Sequence, residues 1–118
     1  WYLTQTANYP VDIEGNYAKY SWVMNLPEMF SHRAPGNTCL SALAAGGKGT
    51  IEKPINNSKG CGGIMRVAPI GLYFSEGKMD IASIDKIGAE CAAITHGHEL
   101  GYIPAAALVH MVSLLSHN

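Results

Sequence analysis

At Ser58 the chain reads Ser-Lys-Gly-Cys-Gly-Gly, and at Ile64 it turns abruptly apolar. No regular helix or strand runs comfortably through three glycines in four residues, because each adds conformational freedom that folding must remove. The segment from Ser58 to Gly63 therefore reads as a polar loop whose backbone can turn sharply and approach a ligand closely. From Ile64 the residues Ile64, Met65, Val67, Ala68 and Leu72 predict a buried helix whose path Pro69 interrupts. A glycine loop opening into a helix is either an ordinary junction or a cradle for an anion such as phosphate. The composition of the stretch from Asn56 to Leu72 allows both.

The rest of the chain reads as helices joined by loops. Pro10 suits a first helical position, and Ile13, Tyr17, Tyr20 and Met24 recur at helical spacing, predicting a helix from about 10 to 25 that Pro27 ends. Gly15 weakens that helix. A loop follows to Gly36, and Asn37 is placed to cap a short helix carrying Cys39, Leu40 and Leu43, stopped by Gly46-Gly47. The irregular segment from Gly46 to about Gly62 is unusually long for a compact fold, and such connections are often functional. Ser75 to Lys78 read as a turn, after which Asp80 caps a helix with an apolar stripe of Ile81, Ile84, Ile87, Cys91 and Ile94. Ala82, Ala89, Ala92 and Ala93 leave room for close helix approach. A last helix has Pro104 in its first turn and an apolar face of Ile103, Ala107, Met111, Leu114 and Leu115. No segment alternates like a strand, so the fold class is all-α, an orthogonal or antiparallel helix bundle.

The 118 residues suffice for one domain with a modest core. Only 14% are charged and the net charge is −1, so there is no electrostatic footprint for nucleic acid or an anionic membrane. No run of about 18 apolar residues occurs to span a bilayer. Three cysteines, Cys39, Cys61 and Cys91, match no zinc or disulfide pattern, and reduced thiols in a cytoplasmic protein are the simplest account. The sequon Asn56-Asn57-Ser58 has no signal peptide to support it. The opening Trp-Tyr-Leu reads like the interior of a longer polypeptide.

Two phosphate motifs fail. Gly46-Gly47-Lys48-Gly49-Thr50 lacks the Gly-Lys-Ser/Thr triplet of a P-loop, and Met65 stands where the dinucleotide fingerprint needs its third glycine. The carboxylates are scattered, with no Asp-x-Asp or adjacent acidic pair to gather divalent metals. His96 and His98, separated by one glycine, have a metal-binding spacing but lack further ligands, and capping or loop bracing competes with that role. Cys61 with His96 as base would form a nucleophilic pair, against which stands a plain loop residue. Arg66, inside the apolar run, either meets an anionic ligand or satisfies a buried carbonyl.

Three blocks considered together carry a resemblance. Arg33-Ala34-Pro35-Gly36-Asn37-Thr38, the run from Asn57 to Leu72, and Thr95-His96-Gly97-His98 are similar in order and spacing to the ADP-ribosylglycohydrolases, a family that includes the dinitrogenase-reductase-activating glycohydrolase and the J1 crystallins. The middle block is long and specific. The resemblance implies an all-α fold, a dinuclear Mg or Mn site, and hydrolysis of the bond between ADP-ribose and an acceptor such as a protein side chain. It implies that Ser58, Lys59, Gly60, Cys61 and Gly62 line the ADP-ribose cleft and that His96 contacts substrate or orients the site. Many relatives have asparagine at the position of Cys61.

The chain departs from the family in one respect. Neither the Asp-Asp-Thr-type motif nor the Asp-x-Asp-Ser/Thr-type motif that supplies the family's metal ligands is present. The expectation is therefore a central portion, residues 1–118, of a single larger domain, carrying the ADP-ribose loop without the metal ligands. Its partners would be ADP-ribose or an ADP-ribosylated protein and the remaining parts of the parent fold, with no nucleic acid and no membrane. The alternative is a non-catalytic ADP-ribose-binding or crystallin-like structural protein.

Overall fold

The computed structural model describes residues 1–74 and 77–117. Every regular element among them is helical, as the sequence predicts: α1 (Tyr2–Thr6), α2 (Asn37–Ala44), α3 (Ala68–Tyr73), α4 (Ile81–Ala93) and α5 (Glu99–His117), with short 3-10 turns between. The chain divides into two compact units, Trp1–Pro35 and the residues from Gly36 onward.

In the first unit the helix expected over 10 to 25 does not form. Three 3-10 turns stand there instead, Tyr17–Tyr20, Trp22–Asn25 and Pro27–Met29. Local side-chain bonds explain this, because they offer the backbone an alternative to the helix. Asp12 accepts the Glu14 N–H at 2.9 Å and Asn16 accepts the Ala18 N–H at 2.8 Å. Gly15, at φ +75°, lies in the left-handed region, outside helical geometry. The supposed apolar face dissolves with the helix: Met24 is buried, whereas Tyr17 is 90% exposed. Arg33 closes the unit, its guanidinium donating to the carbonyls of Glu28, Met29 and Ser31.

The second unit is built on α4 and α5, with α3 packed against both. Asp80 caps α4 as expected, accepting from the Ser83 N–H at 3.0 Å. Asn37 is the first residue of α2 rather than its cap, a place taken by Gly36. Gly46 and Gly47, both at positive φ, end α2 by donating to Leu43 and Ala42 carbonyls. Pro69 opens α3 rather than interrupting a longer helix, because its fixed φ and missing N–H suit the first turn. The apolar run therefore divides into a 3-10 turn, Ile64–Arg66, and α3. Of the turn expected over Ser75–Lys78, residues 75 and 76 lie outside the described residues, and Gly77 and Lys78 are in a turn.

The face that α5 buries also differs from expectation. Gly101, Ala105, Val109 and Ser113, four residues apart, face inward. Ile103, Met111 and Leu115 are exposed. The reason is steric: the contact selects small residues. A Cβ on Gly71 would stand 2.6 Å from the Val109 carbonyl oxygen, and one on Gly88 would stand 2.7 Å from Val109 Cγ2. Large side chains at Ala105 or Gly101 would hold the helices apart. Val67, Ile84, Ala92, Ala105 and Val109 form the fully buried centre. On α4, only Ile84 of the expected stripe is fully buried, while Ala92 and Ala93 join it.

Pro104 lies inside α5, which begins earlier, at Glu99. Its missing N–H leaves the Leu100 carbonyl without an intrahelical donor, on a stretch where Leu100 and Ile103 are exposed. By length and composition α5 would also pass as a membrane-crossing helix. A helix packed in a core has the same character, and α5 buries its small-residue line against α3 and α4. His110 Nδ1 ties it to Asp85 Oδ2 of α4 at 2.8 Å.

Candidate functional site

The turn between α4 and α5 carries Thr95, His96, Gly97 and His98. Its first two residues are almost completely buried, each 2% exposed. Arg66 organises this turn from below. The last carbonyls of a helix lack intrahelical donors and carry its negative dipole end. The Arg66 guanidinium meets both needs, donating through Nη2 to the Cys91 carbonyl at 2.6 Å and to the Ala92 carbonyl at 3.4 Å. The same nitrogen donates to Thr95 Oγ1 at 2.8 Å. Thr95 Oγ1 in turn lies 2.7 Å from His96 Nδ1. Of the two roles the sequence leaves open for Arg66, the structure gives the bond to a buried carbonyl.

The long loop of residues 46–63 is fastened to this turn by Asn56. Its Nδ2 donates to the Thr95 carbonyl at 2.8 Å, and its Oδ1 accepts from the Gly97 N–H at 2.9 Å and the Ser58 N–H at 3.1 Å. Ser58 continues the tie: its carbonyl accepts from the His98 N–H, and its Oγ accepts from the Gly60 N–H at 3.2 Å. The loop thus takes the shape the turn dictates.

Two glycines of the loop lie against the imidazole. A Cβ on Gly60 would stand 3.3 Å from His96 Nε2, a tight contact, and one on Gly62 would stand 2.9 Å from His96 Cε1 and 3.3 Å from Cys39 Sγ, so that the ring would have to shift. Gly101, at the start of α5, admits the Ser58 carbonyl and the His96 Cβ in the same way. His98 faces the other direction, its Nδ1 accepting the Leu100 N–H at 3.0 Å, which makes it a cap for α5.

The environment holds His96 neutral. Burial pushes its pKa below the ordinary histidine value of 6.5, and the neighbouring Arg66 charge pushes in the same direction. A neutral imidazole keeps one N–H donor and one acceptor.

Of the residues expected to line a cleft, Ser58, Gly60 and Gly62 gather around His96. Lys59 and Cys61 are exposed between them. Four partners escaped the sequence reading. Asn56 was treated only as a sequon, although an Asn two residues before a Ser is a common side-chain turn. Thr95 appeared only as part of a block. Cys39 reads simply as a helix residue, and nothing around His110 in the sequence points to Asp85. Asn56 has a local signal, and Thr95 has a neighbour in His96, but the Arg66–Thr95, Cys39 and His110–Asp85 contacts form across the fold. No three His, Cys, Asp or Glu side chains come together to hold a metal ion among the described residues. A dinuclear centre therefore does not fit this set of groups.

The family model described as ADP-ribosylglycohydrolase matches residues 2–118. No curated protein and no solved structure matches the chain.

Proposed function

This chain belongs to the ADP-ribosylglycohydrolase family, and from that premise we propose that it supplies the ADP-ribose-binding wall of a hydrolase. The hydrolase cleaves the glycosidic bond between ADP-ribose and its acceptor. The observation that carries this reading is the buried His96 imidazole walled by Gly60 and Gly62, with the exposed Lys59 between Ser58 and Gly60. A diphosphate needs positive charge and close backbone approach. Lys59 offers the first as a point charge, and the glycines offer the second. His96 adds a neutral donor that does not compete with the cation.

The reading assigns binding and orientation to this chain, and the activation of water to groups outside it. That division follows from the sequence, whose carboxylates are scattered, with no Asp-x-Asp or adjacent acidic pair. The metal, Mg or Mn, would be held by the remaining parts of the parent fold. The three free thiols suit a reducing compartment, and we place the protein in the cytoplasm.

Calorimetry with ADP-ribose tests the proposal. Binding heat is expected for the 118-residue chain, with affinity reduced about tenfold or more in Lys59→Ala, since a hydrogen bond to a charged group contributes about 1.5–3 kcal/mol. No heat at high ligand concentration sinks the binding role. With Mg²⁺ and ADP-ribosylated arginine the chain by itself should show no turnover, and clear turnover would refute the placement of the metal ligands elsewhere.

A further inference from the structure

We propose that Arg66 is a positioning residue that acts through Thr95 to fix His96 as its Nε2–H tautomer, so that the imidazole presents a hydrogen-bond donor between Gly60 and Gly62. The donors and acceptors around Thr95 balance in one way. A guanidinium has only donors, so at 2.8 Å from Arg66 Nη2 the Thr95 oxygen is an acceptor. Thr95 is buried and its hydroxyl proton needs a partner. Among the described residues the acceptor within hydrogen-bond distance of that hydroxyl is His96 Nδ1, at 2.7 Å. The hydroxyl donates to Nδ1, and the ring proton of neutral His96 then resides on Nε2.

Nε2 is also the nitrogen beside the loop. Prospective Cβ atoms on Gly60 and Gly62 would lie 3.3 and 3.1 Å from it. It has no hydrogen-bond partner among the described residues, and it is not among the side-chain polar atoms sealed from solvent without one. An N–H held there suits an oxygen acceptor, a phosphate or ribose oxygen if the ADP-ribose reading above is right. That clause rests on the proposed function, whereas the tautomer does not.

The groups facing the ring are few. Arg66 approaches from the Ile64–Arg66 turn and the Cys39 thiol from α2, next to Gly62. Lys59 and Cys61 flank Gly60, and His98 is engaged at the start of α5. None of them offers Nδ1 a carboxylate that would reverse the tautomer.

Side-chain nitrogen NMR of ¹⁵N-labelled protein reads the result directly, with His96→Gln assigning the signal. The wild type should show the Nε2–H form at neutral pH. Thr95→Val should convert that single form to a mixture, and Thr95→Ser, which keeps the hydroxyl, should restore it. Arg66→Lys should weaken the preference. An Nδ1–H wild type, or a Thr95→Val spectrum identical to wild type, overturns the relay. Because Arg66 also caps α4 and its variants are prone to unfold, the Thr95 pair decides the question alone. In parallel, ADP-ribose affinity should fall about tenfold in Thr95→Val and recover in Thr95→Ser. If the tautomer responds as expected while wild type binds no ADP-ribose, the relay is upheld and the ligand assignment is lost.

Discussion

His96 links burial to pH. Its pKa is lowered in the folded chain, so above the ordinary value of 6.5 both folded and unfolded states are neutral and the stability contribution is fully present. As pH falls below that value the unfolded state takes up its proton first, and stability declines until the folded pKa is passed. Urea midpoints measured from about pH 8 to about pH 5 should decline in wild type and decline less in His96→Gln. Gly62→Ala makes a second prediction. Its methyl would stand 2.9 Å from a ring held by Thr95, so a cost of about 1–3 kcal/mol is expected in chemical denaturation, together with a shifted His96 resonance. At this scale the sequence narrows the role of Arg66 to two, an anionic ligand or a buried carbonyl, and the fold selects the carbonyl by bringing Cys91 to it from 25 residues away. Cys39 and the Arg66–Thr95 bond are not legible in it, because those partners arrive from other elements.

Among the elements, the α4–α5 contact shows what periodicity can and cannot reveal. Spacing reveals both helices, and Asp80 marks the start of α4, where the structure has it accept from the Ser83 N–H. It misled on which side of α5 is buried, because the largest apolar side chains mark a face only when the neighbour can accommodate them. Here Gly71 and Gly88 set the separation, and the small line of Gly101, Ala105 and Val109 matches it. Gly71→Ala should therefore be more damaging than Gly88→Ala. The former meets backbone on both sides, the Val109 carbonyl oxygen at 2.6 Å and the Ser113 nitrogen at 3.0 Å, whereas the latter meets chiefly the buried Val109 side chain, whose Cβ stays 3.1 Å away whichever way it turns. Both belong in the range of about 1–3 kcal/mol, read from urea midpoints. Ile84→Ala, which opens a cavity at a fully buried position, should cost about 2–5 kcal/mol. The helix expected over about 10 to 25 fails for a different reason: Asp12 and Asn16 bind their own backbone, and a hydrophobic count does not register that competition.

For the whole molecule, the exposed residues of α5 have a physical consequence. Leu100, Ile103, Met111 and Leu115 each keep more than half of their surface in water, and apolar surface of this kind binds hydrophobic dyes. The folded chain should enhance anilinonaphthalene sulfonate fluorescence, and the double substitution Met111→Lys, Leu115→Lys should lower that signal without moving the urea midpoint. Asn56 has a consequence of another kind. Its amide is fastened to Thr95 and Gly97, residues 39 and 41 positions further along the chain, and its carbonyl oxygen also anchors Ser58. The glycine loop therefore has no private way to open: lifting it exposes the Gly97 N–H, and protecting it protects that N–H. Amide hydrogen exchange at Gly97, in the turn after α4, should accordingly keep time with the loop, and a molecule that grips Lys59 would slow proton exchange at a backbone N–H that the loop, not the ligand, covers.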